Sequence, residues 1–151
     1  PLSIYDSPRS RFVAGFLGME NLLPVKVLRR EGGQALVRLT DGSELKVRQT
    51  GELRGKRTVL AFRSECVCVT KRRESGPGVE QDLSTVSLPG TVEFITNLGS
   101  RVIYEVRLED GSRVCAEVQR TDRSEKFTVG ESLVAFVNGD HCVLLEDGGT
   151  E

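Results

Sequence analysis

The chain has no tryptophan, one methionine, a single histidine (His141), two tyrosines and six phenylalanines in 151 residues. Single-stranded nucleic-acid binding needs stacking aromatics set in a basic groove, so this shortage counts against it, and most of the phenylalanines sit at core-like positions. The lone histidine removes the acid/base schemes that depend on a histidine pair. No run approaches the ~18 consecutive apolar residues of a membrane helix, and the front end lacks the basic-then-apolar order of a signal peptide. A cytosolic protein is expected. Lys and Arg number 21 against 22 Asp and Glu, a net charge of -1, which argues against a general polyanion binder.

The motifs that carry chemistry are missing as well. There is no GxxxxGK[ST] phosphate loop, no GxGxxG, no HExxH and no GxSxG. Carboxylates are plentiful, but no spacing singles out a pair, and no catalytic constellation is read. The four cysteines, Cys66, Cys68, Cys115 and Cys142, form no CxxC knuckle. Free thiols are expected and no metal site, with Cys66 and Cys68 on one face of a strand.

What is present is a repeat. "LVRLTDGSELKV" (36–47) and "EVRLEDGSRVCA" (105–116) share V-R-L-x-D-G-S. In each, an alternating run meets Asp-Gly and a second run follows, which predicts a hairpin with a two-residue turn. "TVLAFRSECVCVT" (58–70) and "SLVAFVNGDHCVLL" (132–145) match through their Ala-Phe pairs, again as hairpins. The offset is about 69 at the Asp-Gly turn and about 74 at Ala-Phe, so insertions fall in loops. Ten strands are predicted, near 23–30, 34–40, 44–49, 57–63 and 66–71, then near 89–96, 101–109, 112–119, 131–137 and 141–146. The fold class is therefore all-β, with two OB-like five-stranded barrel units. Between them runs "KRRESGPGVEQD" (71–82), charged, rich in Gly and Pro, and without apolar periodicity. A unit of about 50 residues is marginal alone, so the two are expected to pack together or to interleave.

Ahead of the repeat, Ser7 reads as an N-cap, Pro8 as the first helical residue and Gly18 as the left-handed residue past the end. One short helix over 8–17 is predicted, with Phe12, Val13, Phe16 and Leu17 in an apolar stripe.

These pieces together resemble the region that follows the nucleotide-binding domain in ATP-binding subunits of ABC importers. "SPRSRFVAGFLGMENLLPVKV" is similar to that family's P-x-S-x-F-V-A-x-F-x-G-x-x-N-x-L junction through Pro8, Ser10, Phe12, Val13, Ala14, Phe16, Gly18, Asn21 and Leu23. "AFRSE" resembles its R-P-E element, with Arg63 and Glu65 kept and Ser64 in place of proline. "GTVEFITNLGSRVIYEVRLEDG", containing Gly99, Asp110 and Gly111, followed by "VGESLVAF", is similar to the C-terminal segment known as a TOBE domain, in the polyamine, iron or sugar importer subtype.

The resemblance implies a helical junction over 1–22 following an absent ATPase domain, a first OB-like repeat over 23–70, a linker over 71–84 and a second, TOBE repeat over 85–147. It implies a non-catalytic regulatory and dimerisation region needing no cofactor of its own, with ATP and Mg2+ belonging to the parent ATPase. Its implied partners are a second copy, the transporter's membrane subunits and a small-molecule or protein effector, at the inner face of the cell membrane, with no nucleic acid and no membrane insertion. The alternative is a barrel protein without an ATPase that binds a small oxyanion such as molybdate, for which Ser100 and Arg101 are the candidate ligands. Val25 stands where related molybdate-binding barrels prefer glycine, and no S-A-R-N run precedes Asn21; both departures weigh against the oxyanion.

Overall fold

The computed structural model describes residues 19–48, 57–71 and 82–146. The helix expected over 8–17, with Phe12 and Phe16, and its Gly18 stop lie outside the described residues.

All ten predicted strands are present: β1 (Asn21–Glu31), β2 (Gln34–Leu39), β3 (Glu44–Arg48), β4 (Thr58–Phe62), β5 (Cys68–Lys71), β6 (Thr85–Asn97), β7 (Arg101–Leu108), β8 (Arg113–Gln119), β9 (Ser132–Asn138) and β10 (Cys142–Glu146). The alternation that predicted them reappears as burial. In β7, Val102, Tyr104, Val106 and Leu108 turn inward while the residues between them are half-buried or exposed. β6 begins four residues before its predicted start, running through Pro89. Proline is tolerated there because only β9 flanks this stretch, and the second ladder, to β7, begins at Gly90. Pro24 is placed alike in β1, one residue before pairing with β2 begins at Val25.

The strands form two curled antiparallel sheets, ordered β10-β4-β1-β2-β3 and β5-β9-β6-β7-β8. Four strands of each come from one half of the sequence and the fifth from the other half, so the interleaved alternative is the one realised. The chain crosses between sheets twice, at short 3-10 turns over Ser64–Cys66 and Gly139–His141. One apolar core runs through both sheets, with Phe62, Leu45, Leu60, Leu133 and Leu144 among its fully buried members. A smaller cluster of Leu22, Val59 and Ala61 lies on the opposite face of the first sheet.

The two halves are related residue by residue. Val25 pairs with Leu39 as Gly90 pairs with Leu108, and a register shift follows Val27 in β1 and Val92 in β6 at the same place. Val25 pairs with Thr58 as Gly90 pairs with Leu133, so Thr58 corresponds to Leu133, an offset of 75. The letter match of Ala61-Phe62 to Ala135-Phe136 is therefore out of register by one residue. In a pleated strand one residue reverses the face. Phe62 lies in the core, its counterpart is Val137, and Phe136 is only half-buried.

The Asp-Gly turns also differ from expectation. Arg38 pairs with Glu44 and Arg107 with Arg113, and the Leu39 and Leu108 N–H groups reach the carbonyls of Ser43 and Ser112, leaving three-residue loops rather than two-residue ones. Only the glycines take positive φ, Gly42 at 92° and Gly111 at 91°, which is the signature of a type I turn followed by a glycine bulge.

Candidate functional site

The equivalences converge on one cleft. Leu23, Pro24, Leu39, Thr40 and Asp41 line it from the first half, and Leu88, Pro89, Leu108, Glu109 and Asp110 from the second, around a volume of about 200 Å³. Each lining residue has its repeat counterpart also in the lining, which places the cleft between the two equivalent halves. It opens where β1 and β6 each lack a second neighbour, beside Pro24 and Pro89. The floor is apolar, and the rim carries three carboxylates and no cation.

The rim is where the symmetry breaks. Thr40 of one turn donates its hydroxyl to the Asp110 carboxylate of the other. The reciprocal position to Thr40 is Glu109, which has no hydroxyl to give Asp41. Partial desolvation pushes the Asp110 carboxyl up, but the bonds from the Thr40 hydroxyl and from the Ser112 N–H and hydroxyl outweigh it, and the net shift is downward. Asp110 is therefore an anchored anion at neutral pH.

Asp110 and Gly111 thus belong to the cleft turn. Ser100 and Arg101 stand elsewhere, at the tip of the β6–β7 hairpin. The Arg101 guanidinium donates to Glu117 at 2.7 Å, and the Ser100 carbonyl accepts from the Arg120 N–H. Gly99 takes positive φ in that tip, its N–H bound to the Asn97 side chain. The turn N–H groups an anion would need are likewise engaged within the Asp110 turn: Ser112 N–H with Asp110, Gly111 N–H with the Leu108 carbonyl.

Arg63 and Glu65 flank the first crossing between sheets, an exposed pair 3.9 Å apart with Ser64 buried between them. Asn21, 2% exposed, gives its side-chain amide to the Cys115 carbonyl at 2.9 Å and accepts from the Cys115 N–H at 2.7 Å. It acts as a one-residue strand along β8. The equivalent place in the other half, Lys46 of β3, donates its N–H to the Leu83 carbonyl. Each contact covers one point on an outermost strand, β8 in one sheet and β3 in the other.

Burial pushes the Cys142 thiol up to about 12, with the nearby Cys66 adding to it, and burial also raises Cys66 and Cys115. All four cysteines are free thiols. Among the described residues no three His, Cys, Asp or Glu side chains gather as a metal site, and no helix is long and apolar enough to cross a membrane.

The cleft's floor was missed in the sequence. The signal was there: Leu23-Pro24 and Leu88-Pro89 repeat the same dipeptide 65 residues apart, but without the flanking letters that made the Asp-Gly repeat visible.

Comparison with known proteins agrees with this architecture. The spermidine/putrescine import ATP-binding protein PotA 1 of Pseudomonas aeruginosa is 31% identical over 148 residues, covering 97% of this chain and 37% of the relative. The Fe(3+) ions import ATP-binding protein FbpC of Agrobacterium fabrum is 31% identical over 112 residues, covering 74% and 28%. The chain thus spans between about a quarter and little more than a third of the length of the relatives it matches. Among solved structures, the cytoplasmic molybdate-binding protein ModG, with molybdate bound, superposes with a TM-score of 0.67 over 85% of this chain and 96% of its own, at 18% identity, a likeness of fold. Residues 60–145, more than half of the chain, match the TOBE domain, and the chain belongs to that family.

Proposed function

We infer that this chain is the C-terminal regulatory and dimerisation region of the ATP-binding subunit of an ABC importer of the polyamine, iron or sugar type, with no catalytic step of its own. The observation that carries this reading is the extent of the match: nearly all of this chain aligns with about a third of import ATP-binding proteins. ATP and Mg2+ would then be held by the remainder of the parent. The membrane subunits would be reached through that remainder, at the cytoplasmic face of the membrane. The cleft between the halves is the place in this region where a small effector would bear on both halves at once, because equivalent residues of each line it. Its acidic rim repels an anion, and Arg101 is already committed to Glu117, so the geometry favours this reading over an oxyanion carrier.

The test compares the full-length ATP-binding subunit with one truncated before Met19, assembled with its membrane subunits. The expected result is that truncation preserves ATP hydrolysis but weakens subunit association and abolishes any inhibition by accumulated substrate. Loss of nucleotide binding on truncation, or hydrolysis by the isolated chain, overturns the reading. Titration calorimetry of the chain with molybdate, sulfate and spermidine separates the oxyanion carrier, since tight oxyanion binding would favour it.

A further inference from the structure

The β6–β7 hairpin is built out further than its counterpart. In the first half Glu31 lies opposite Gln34 and the chain turns at once through Gly32 and Gly33, whereas the equivalent pair, Thr96 and Ile103, is followed by a further one, Asn97 opposite Val102. On the inner side of this extension Ile95 stands beside Tyr104, and Val102 lies between Asn97 and Val118 of β8. Tyr104 holds the position of Ala35, and Ile95 that of Arg30. The segment after β8 then brings Phe127 edge-on against Tyr104, ring centroids 5.4 Å apart at 87°. These residues enclose a cavity of about 190 Å³ that shares no lining residue with the cleft between the halves.

The covering segment is tied in place. The Ser124 hydroxyl donates to the Thr121 carbonyl at 2.7 Å, the Glu125 carboxylate accepts from the Thr70 hydroxyl at 2.8 Å, and Glu131 accepts from the Thr128 N–H at 3.0 Å. Tyr104 and Phe127 are buried, yet Ile95 at the lip is 36% exposed although it faces the inner side of its sheet. Polar groups complete the lip. Arg120 and Lys126 line it, and neither side chain is paired with an acid among the described residues. Glu125, the one carboxylate in the lining, is already engaged by Thr70 and by the Lys71 N–H at 3.4 Å. The Asn97 side-chain oxygen accepts from the Gly99 N–H at 2.9 Å, which leaves its amide NH2 as a donor.

We propose that this cavity binds a small organic acid, a single carboxylate on a short apolar body. The body lies among Ile95, Val102, Tyr104 and Phe127, and the carboxylate meets Arg120 and Lys126 at the lip. Each part of the lining selects against another ligand class. An inorganic oxyanion would leave the apolar walls without contact, a neutral alcohol would leave both cations unanswered, and an alkylammonium would oppose them. The guanidinium of Arg120 offers the planar fork that a carboxylate matches with two hydrogen bonds. Size sets the other limit: the cavity is smaller than the roughly 300–1,000 Å³ of sites for drug-sized ligands, so the acid has only a few carbons. The site goes beyond the proposed function, because it belongs to the second half alone.

Titration of the chain with hexanoate, followed through its backbone amide NMR shifts, is the test, with hexanol and hexylamine as the neutral and cationic isosteres. Hexanoate should saturate one site with a Kd of about a millimolar or below, a reasonable affinity for so small a ligand. The shifts should centre on 95–104 and 118–127, and the two isosteres should bind at least tenfold more weakly. Arg120→Gln/Lys126→Gln should bring hexanoate down to the level of hexanol; both residues are exposed, so the melting temperature should stay at the wild-type value. Lys26→Gln/Lys46→Gln, which removes two cations from the other sheet, should leave the Kd within about twofold. Failure to saturate by about 20 mM, equal binding of hexanoate and hexanol, a Kd indifferent to the Arg120/Lys126 change, or shifts centred on the cleft between the halves overturns the proposal. None of these outcomes bears on the truncation experiment with the full subunit, so the two readings fail separately.

Discussion

The side chain of Asn21 pairs with the backbone of Cys115 in both directions, 94 residues away and across the boundary between the halves. Asn21 opens β1 of one sheet and Cys115 lies in the outermost strand of the other. Asn21→Ala strands a donor and an acceptor in a site that is 2% exposed in the native protein. The expected cost is about 2 kcal/mol or more, two hydrogen bonds with partners left unsatisfied. Urea unfolding measures it, and a loss below about 0.5 kcal/mol would mean that water replaces both bonds.

The second crossing between sheets depends on the absence of a side chain. A Cβ on Gly139 would sit 1.9 Å from the Lys46 carbonyl oxygen, a backbone atom that cannot swing aside. Gly139→Ala is expected to lose about 3 kcal/mol, the upper end of overpacking penalties, and to lower the melting temperature accordingly. Ser64, the counterpart of Gly139, already carries a Cβ and is buried at the first crossing, so Ser64→Ala should cost far less.

Acid should act through Asp110. Its carboxyl is held below the ordinary value, so it contributes stability above the unfolded-state pKa and loses it as pH falls through the depressed folded-state value. Thr40→Val removes one of the bonds that hold it down. At pH 7 the variant should be less stable by about 0.5–1 kcal/mol, discounted for the exposure of the rim. The difference should shrink from pH 7 to strongly acidic pH, as the Asp110 carboxyl becomes protonated in both proteins. Chemical unfolding at the two pH values checks the sign; a gap that widens in acid would assign the Thr40 contact no electrostatic part.

The thiols should react in an order set by burial. Cys68 is exposed, whereas Cys142 is buried and raised to about 12. At pH 8 the thiolate fraction of Cys142 is on the order of 10⁻⁴, before access is considered. Timed alkylation followed by mass spectrometry should label Cys68 first and Cys142 only as the protein unfolds globally. Early labelling of Cys142 would require the β4–β10 pairing to open locally, since Cys142 lies opposite Phe62.

What was legible in the sequence was local. The alternation in β7 and β9 and the repeated D-G-S turns placed ten strands because period-two burial and turn chemistry are written within a few residues. Strand partnership was not. Nothing in Cys68–Lys71 shows that it pairs with β9 rather than with its own half, because that ladder is set by packing between residues more than 60 positions apart. The one-residue slip at Ala-Phe has the same origin: identical letters outweighed the pleat, and only Val137 standing in the place of Phe62 exposes it. The cleft was hidden for a third reason. Its floor is made of Leu and Pro, residues that single out no chemistry until the two copies are seen to face each other.

The exchange of β5 and β10 makes a prediction about the chain as a whole. β5 pairs with β9 along Cys68–Lys71, and β10 pairs with β4 along Cys142–Glu146, so each half holds a strand of the other's sheet. One core runs through both, and neither half can close without the other's strand. Proteolytic cleavage near Gly76 should therefore leave two fragments that co-elute and melt in one cooperative transition, at a somewhat lower temperature because the loop-closure entropy saved by the connection is lost. Separated in denaturant, the fragments should regain strand structure by circular dichroism only on mixing. Fragments that part on a sizing column under native conditions, each keeping its own melting transition, would show that the exchanged strands contribute little and that the halves are independent barrels.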